Sequence, residues 1–154
     1  MTLEQLLSRT KACAEAREWA KGYPDLATAW AACPRADWML WLAAKAIGEP
    51  GSDAHRQLVL AACACARHAL PHVKPGEGRP LAAIEIAERW ARREEGVKLD
   101  QVRTAAAAAD AYAAAAAAAA YDAAAAYAAA AAARSKMLAA CAEIVRANYP
   151  ESPL

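Results

Sequence analysis

Residues 105–133 read AAAAADAYAAAAAAAAYDAAAAYAAAAAA, and 24 of these 29 positions are alanine. Alanine has the best intrinsic helix propensity because it loses no side-chain entropy when the backbone orders. No Gly or Pro lies between Leu99 and Pro150, so the pattern predicts one long C-terminal helix over about 99–149. At about 1.5 Å per residue that rod would reach about 75 Å. A compact domain of this length is only about 30–40 Å across. Either the rod projects, or a partner covers it, or it bends without a sequence signal. At about 100° per residue, Val102, Tyr112, Tyr127, Met137, Leu138, Cys141 and Val145 fall on one side. Arg103, Asp110, Tyr121, Lys136, Glu143 and Arg146 fall on the other, with Arg134 breaking the pattern, and the agreement favours a continuous helix. A methyl surface binds no metal, moves no proton and reads no base, so the stretch sets architecture rather than a reaction.

Upstream, helical spacing continues. Thr2 and Gln5 form a capping-box pattern, and Leu3, Leu6, Leu7, Thr10 and Cys13 predict a first helix to about Lys21, ended by Gly22-Tyr23-Pro24. A short helix follows over about 25–32. Pro34 opens the next, which carries Trp38, Trp41 and Leu42 on one face. Ser52 caps a helix over about 53–70 that is apolar nearly all round and is expected to be the buried central rod. After the loop 71–80, a helix runs over about 80–95, broken by Gly96. No segment alternates with a period of two, so strands are not expected. The predicted fold is all-α, a single domain over 1–154 with about six helices.

The bulk numbers exclude several function classes. Net charge is +1, with 18 basic and 17 acidic side chains, which is no footprint for nucleic acid or anionic lipid. Asp110 and Asp122 leave 11 residues between them, short of the roughly 20 a membrane span needs. Five scattered cysteines point to a reducing compartment. The start Met-Thr-Leu-Glu-Gln lacks a basic-then-apolar leader, so a cytoplasmic location is expected. Fifty of the 154 residues are alanine and Phe is absent, so five Trp and five Tyr must supply much of the core bulk.

Few residues offer chemistry. Arg67 sits among apolar neighbours, and a buried guanidinium must be paired. Glu88, with Glu85 at its border, lies on the apolar face of the next helix, so Arg67 is expected to pair with Glu88 or Glu85 as a structural ion pair; a catalytic or ligand-binding pair and snorkelling to solvent are the alternatives. Cys63 and Cys65 with His68 and His72 invite a metal reading. However, Pro71 interrupts the helix and no second knuckle supplies a fourth ligand, so they read as small packed thiols. Trp30, Trp38, Trp41 and Trp90 read as core, because the Lys and Arg of a nucleic-acid platform are missing around them. The charged run 89–95 reads as a solvated face. Asp110, Tyr112, Tyr121, Asp122 and Tyr127 are the only side chains with reach on the alanine tract. They form a candidate partner face or fill gaps between helices. No catalytic triad, HExxH or phosphate-cradling Gly loop is present, and no cofactor is expected.

Three segments resemble a known family. Cys33-Pro34-x-x-Asp37-Trp38-Met39-Leu40-Trp41-Leu42, Leu60-Ala-Ala-Cys63-Ala-Cys65-Ala-Arg67, and Arg79-Pro80-Leu81-x-Ala83-Ile84-Glu85-x-Ala87-Glu88-x-Trp90-Ala91 resemble the immunity proteins of bacterial polymorphic toxin systems, whose relatives also occur in phage genomes. The resemblance spans about Trp30 to Tyr149 and implies an all-helical cytoplasmic protein that binds and blocks a toxin. It supplies no catalytic residues. The expected function is therefore a non-enzymatic toxin-neutralising binding protein. The alternative is a structural or self-assembling protein whose alanine rod drives a homo-oligomer. Neither reading involves nucleic acid or a membrane.

Overall fold

In the computed structural model, residues 2–120 and 124–154 are described, with side chains described for 2–111 and 131–154. Among the described residues all regular structure is helical. The elements are α1 (Leu3–Arg9), α2 (Ala14–Ala20), α3 (Leu26–Ala32), α4 (Ala36–Ala46), α5 (Asp53–Ala69), a 3-10 turn (Leu70–His72), α6 (Arg79–Ala91), α7 (Leu99–Ala120) and α8 (Ala124–Asn148). Among the described residues eight α-helical segments stand where about six helices were expected.

One extra helix comes from a break inside the first predicted one. The Thr2–Gln5 capping box forms, but the helix ends after Arg9. The Thr10 hydroxyl donates to the Leu6 carbonyl at 2.9 Å, taking up an acceptor of the last turn. Lys11 then adopts a left-handed φ of 60° and Ala12 N–H donates to the Leu7 carbonyl, a helix stop of the kind usually made by glycine. No Gly marks this position, so composition hid it. Likewise α6 ends at Ala91 rather than near Glu95, because Arg93 takes a φ of 63° ahead of Gly96.

The other difference concerns the alanine-rich segment. Whether it is continuous through 121–123 lies outside the described residues, but its two ends exclude a straight rod. Val102 packs on the cluster of Cys63, Ile84 and Ala87. Cys141 meets Cys65, each thiol donating to the other's backbone carbonyl at 3.6 and 3.7 Å. Cys63 and Cys65 are two residues apart on α5. A straight helix would separate Val102 from Cys141 by about 58 Å. The chain therefore goes out along α7 and returns along α8, and both arms root on the same region of the bundle.

Helix α5 packs against α4, α6 and α8. Gln57 donates to the Asn148 carbonyl at 2.9 Å, and Cys65 faces Cys141. As numbers rise along α5 they fall along α8, so this pair is antiparallel. Close approach follows from small residues: Ala61, Ala142 and Val145 are each fully removed from solvent (0% exposed). The main core joins Trp30, Cys33, Met39, Leu42, Cys65, Cys141 and Val145, drawn from α3, its C-cap, α4, α5 and α8. Helix α5 is not buried all round, since Gln57, Arg67 and His68 are exposed.

The C-terminus of α8 shows how orphan carbonyls are satisfied at a helix end. Asn148 O accepts from Gln57, and Tyr149 O accepts from the Trp30 indole at 3.0 Å. In return Arg146, placed on the outer side by the sequence phase, reaches the end of α3. Its guanidinium donates to the Cys33 carbonyl at 2.8 Å and to the Trp30 carbonyl at 3.4 Å.

Candidate functional site

The expected ion pair sits between α5 and α6. Arg67 Nε donates to Glu88 Oε1 at 2.6 Å and Nη2 donates to Oε2 at 2.8 Å, a two-pronged guanidinium–carboxylate contact. Arg92 adds a weaker ionic contact at 3.5 Å. The buried charge is Glu88, whose side chain is 10% exposed, whereas the Arg67 side chain is 43% exposed. The picture of a guanidinium trapped in the core is thus corrected. The long Arg stem lies along the helix while its head reaches water. Glu85 is exposed and makes no hydrogen bond with Arg67.

The hydrogen bonds from Arg67, ahead of its plain charge attraction, hold the Glu88 carboxyl below the ordinary range. Arg35 does the same to Asp37. Both pKa values are depressed in the folded state, so both carboxylates stabilise the fold above their unfolded values. That contribution is lost as pH falls through the folded values. Thermal midpoints should stay level from pH 7 to about 5.5 and fall below about pH 4.5. Arg67→Met should shrink the acid-side fall. At neutral pH it should destabilise more than Glu88→Gln, because it leaves a carboxylate buried whereas Glu88→Gln leaves a guanidinium in water. Urea titrations at pH 4 and pH 7 read both effects.

The cysteines separate rather than cluster. Cys63 donates to the Ile84 carbonyl on α6 at 3.8 Å, and Cys65 faces α8. Burial pushes their pKa values up to about 11 and about 12, so both are thiols at neutral pH. His68 and His72 are exposed. Among the described residues no group of three or more His, Cys, Asp or Glu is placed to hold a metal ion. Cys13 alone of the five cysteines is exposed, so a thiol-reactive dye should modify one cysteine quickly and the other four only on unfolding.

Of the candidate partner face, Asp110 is exposed, whereas the side chains of Tyr112, Tyr121, Asp122 and Tyr127 lie outside those described. Nearby described positions 106–108, 111 and 131–136 are all exposed. At 106–108, 111 and 131–133 the described alanines of both arms face solvent, followed on α8 by exposed Arg134, Ser135 and Lys136. No helix of the described residues is long and apolar enough to cross a membrane.

The tryptophans divide into two groups. Trp30 and Trp90 are core residues, 3% and 5% exposed. Trp90 lies inside the run expected to be a solvated face, sealed by the Arg56 guanidinium stacked 4.3 Å from its ring. Trp19, Trp38 and Trp41 are less buried and, together with Trp30, line a cavity of about 430 Å³ between α1, α2, α3 and α4. Trp19 on α2 contacts the Trp38 ring at 5.8 Å. Arg35 stacks 4.3 Å from Trp38 and binds Asp37 at 2.7 Å and Glu15 at 3.0 Å, tying α2 to α4. Sequence reasoning missed this hollow because it exists only once the Lys11 turn folds α1 and α2 back over α4.

Comparison with known proteins returned nothing: no family model, no curated protein and no solved structure matches the chain.

Proposed function

We propose that the chain is a non-enzymatic protein-binding module of the immunity type, which neutralises a toxin in the cytoplasm by covering it. The supporting observation is the pair of alanine arms. One packs on α6 and reaches the α5–α6 cluster through Val102, the other roots on α5 through Cys141, while described positions 106–108, 111 and 131–136 face solvent. A helical surface with almost no side chains lets a partner backbone approach closely at little entropic cost. A specific complex would bury roughly 1,600 Å² in total. The near-neutral charge favours recognition by shape over electrostatic mimicry of nucleic acid.

The test is co-expression with the product of the neighbouring gene. Rescue from that product's lethality supports the reading, and Ala107→Glu with Ala132→Glu should abolish rescue without unfolding the bundle. Unchanged lethality with a folded, soluble chain contradicts it. The same exposed alanines support a second reading, homo-oligomerisation through the arms. Sedimentation of the isolated chain separates the two, because a stable dimer lost on Ala107→Glu supports the second and a monomer the first.

A further inference from the structure

We infer that the tryptophan-lined cavity between α1, α2, α3 and α4 is a binding site for a flat, apolar small molecule carrying one carboxylate. Its volume of about 430 Å³ falls within the range of about 300–1,000 Å³ typical of ligand sites. Leu3 and Leu7 of α1 face Trp19, Trp38 and Trp41 across it, an arrangement that accepts a ring system by stacking and edge contact.

The walls are fixed before any ligand arrives. Tyr23 lies 4.5 Å from the Trp19 ring, Trp38 is backed by Arg35, and Arg35 is itself anchored at both carboxylates. A preformed aromatic wall lowers the ordering cost of binding.

The polar groups left over specify the ligand's charge. Arg35 is matched by Asp37 and Glu15. Lys11, exposed and lining the same cavity, has a left-handed backbone, and among the described residues nothing pairs with its ammonium. The indole N–H groups of Trp19, Trp38 and Trp41 find no acceptor among the described residues. None is sealed from water either. The Lys11 ammonium, the Cys13 thiol and the three indole N–H groups are thus donors without a partner around an apolar hollow, and they complement a single carboxylate on a flat ring.

The site is tested by calorimetric titration of the full chain with three probes of one shape: 2-naphthoate, 2-naphthalenemethanol and 2-naphthylmethylammonium. Indole N–H resonances are followed in parallel. Expected are saturable one-to-one binding of 2-naphthoate, shifts of the Trp19, Trp38 and Trp41 signals but not of Trp90, and binding of the ammonium probe at least about ten-fold weaker. Lys11→Asn keeps a residue type that tolerates positive φ. It should weaken 2-naphthoate about five-fold and leave the alcohol unchanged. Ala16→Leu, which fills the hollow, should abolish binding of both. The inference is overturned by no saturable binding at millimolar probe, by equal affinity for the carboxylate and ammonium probes, or by shifts centred on Trp90. It is also overturned by a stable dimer of this chain that occupies the cavity and excludes all three probes.

Discussion

Met39→Ala is expected to lower the unfolding free energy by about 2–5 kcal/mol and the thermal midpoint by about 5–15 °C. Met39 is 1% exposed and sits where α3, α4, α5 and α8 converge, in one cluster with Trp30, Leu42, Cys65, Cys141 and Val145. Truncation removes the apolar transfer term and leaves a void, and the neighbours cannot close it easily. Trp30 is held by Tyr149 through its indole, and the α5–α8 contact is already at alanine separation. In a chain one third alanine, few large side chains do most of the filling, so the loss of one falls hard on a total of about 5–15 kcal/mol. Chemical denaturation with a matched m-value reads the difference. A loss under about 1 kcal/mol would mean this cluster is not the main core.

Arg146→Met is expected to cost about 1.5–3 kcal/mol. The guanidinium donates to the Cys33 and Trp30 carbonyls at the end of α3 and lies 3.9 Å from the Met39 sulfur, and its side chain is only 20% exposed. Methionine keeps the stem and removes the donors, so the carbonyls of a helix end become orphans in a half-buried seam. Its other partner, Glu143, is 75% exposed. Glu143→Gln should therefore move the urea midpoint far less. Equal effects for the two variants would place the energy in the ion pair rather than at the helix end.

How much of this was legible follows from which signals are local. The Thr2 capping box, the Ser52 cap and the breaks at Gly22 and Gly48–Gly51 are written in adjacent residues and were readable, although the first helix they bound is split in two. The Arg67–Glu88 contact was accessible from the two apolar faces, but which member is buried was not, because it depends on where the bundle edge falls. The Lys11 and Arg93 turns were hidden since each uses a left-handed non-glycine residue. The return of the alanine segment was hidden for a related reason. Polyalanine has uniform propensity and no phase marker, so nothing along it says where a rod should stop. That information sits at its ends, in Val102 and Cys141, and becomes visible only when one is seen on the α5–α6 cluster and the other on α5. The cavity was illegible for the same long-range reason, as Trp19 and Trp38 come from different helices.

The central claim is that the alanine-rich segment leaves and returns to one bundle. Spin labels on unnatural side chains at Arg103 and Lys136, both exposed, test it by dipolar distance measurement without touching the native cysteines. Two arms rooted on the neighbouring helices α6 and α5 place the labels within about 20–30 Å, inside the width of a domain of this size. A distance distribution centred near about 50 Å, the length of 33 residues of straight helix, would contradict it.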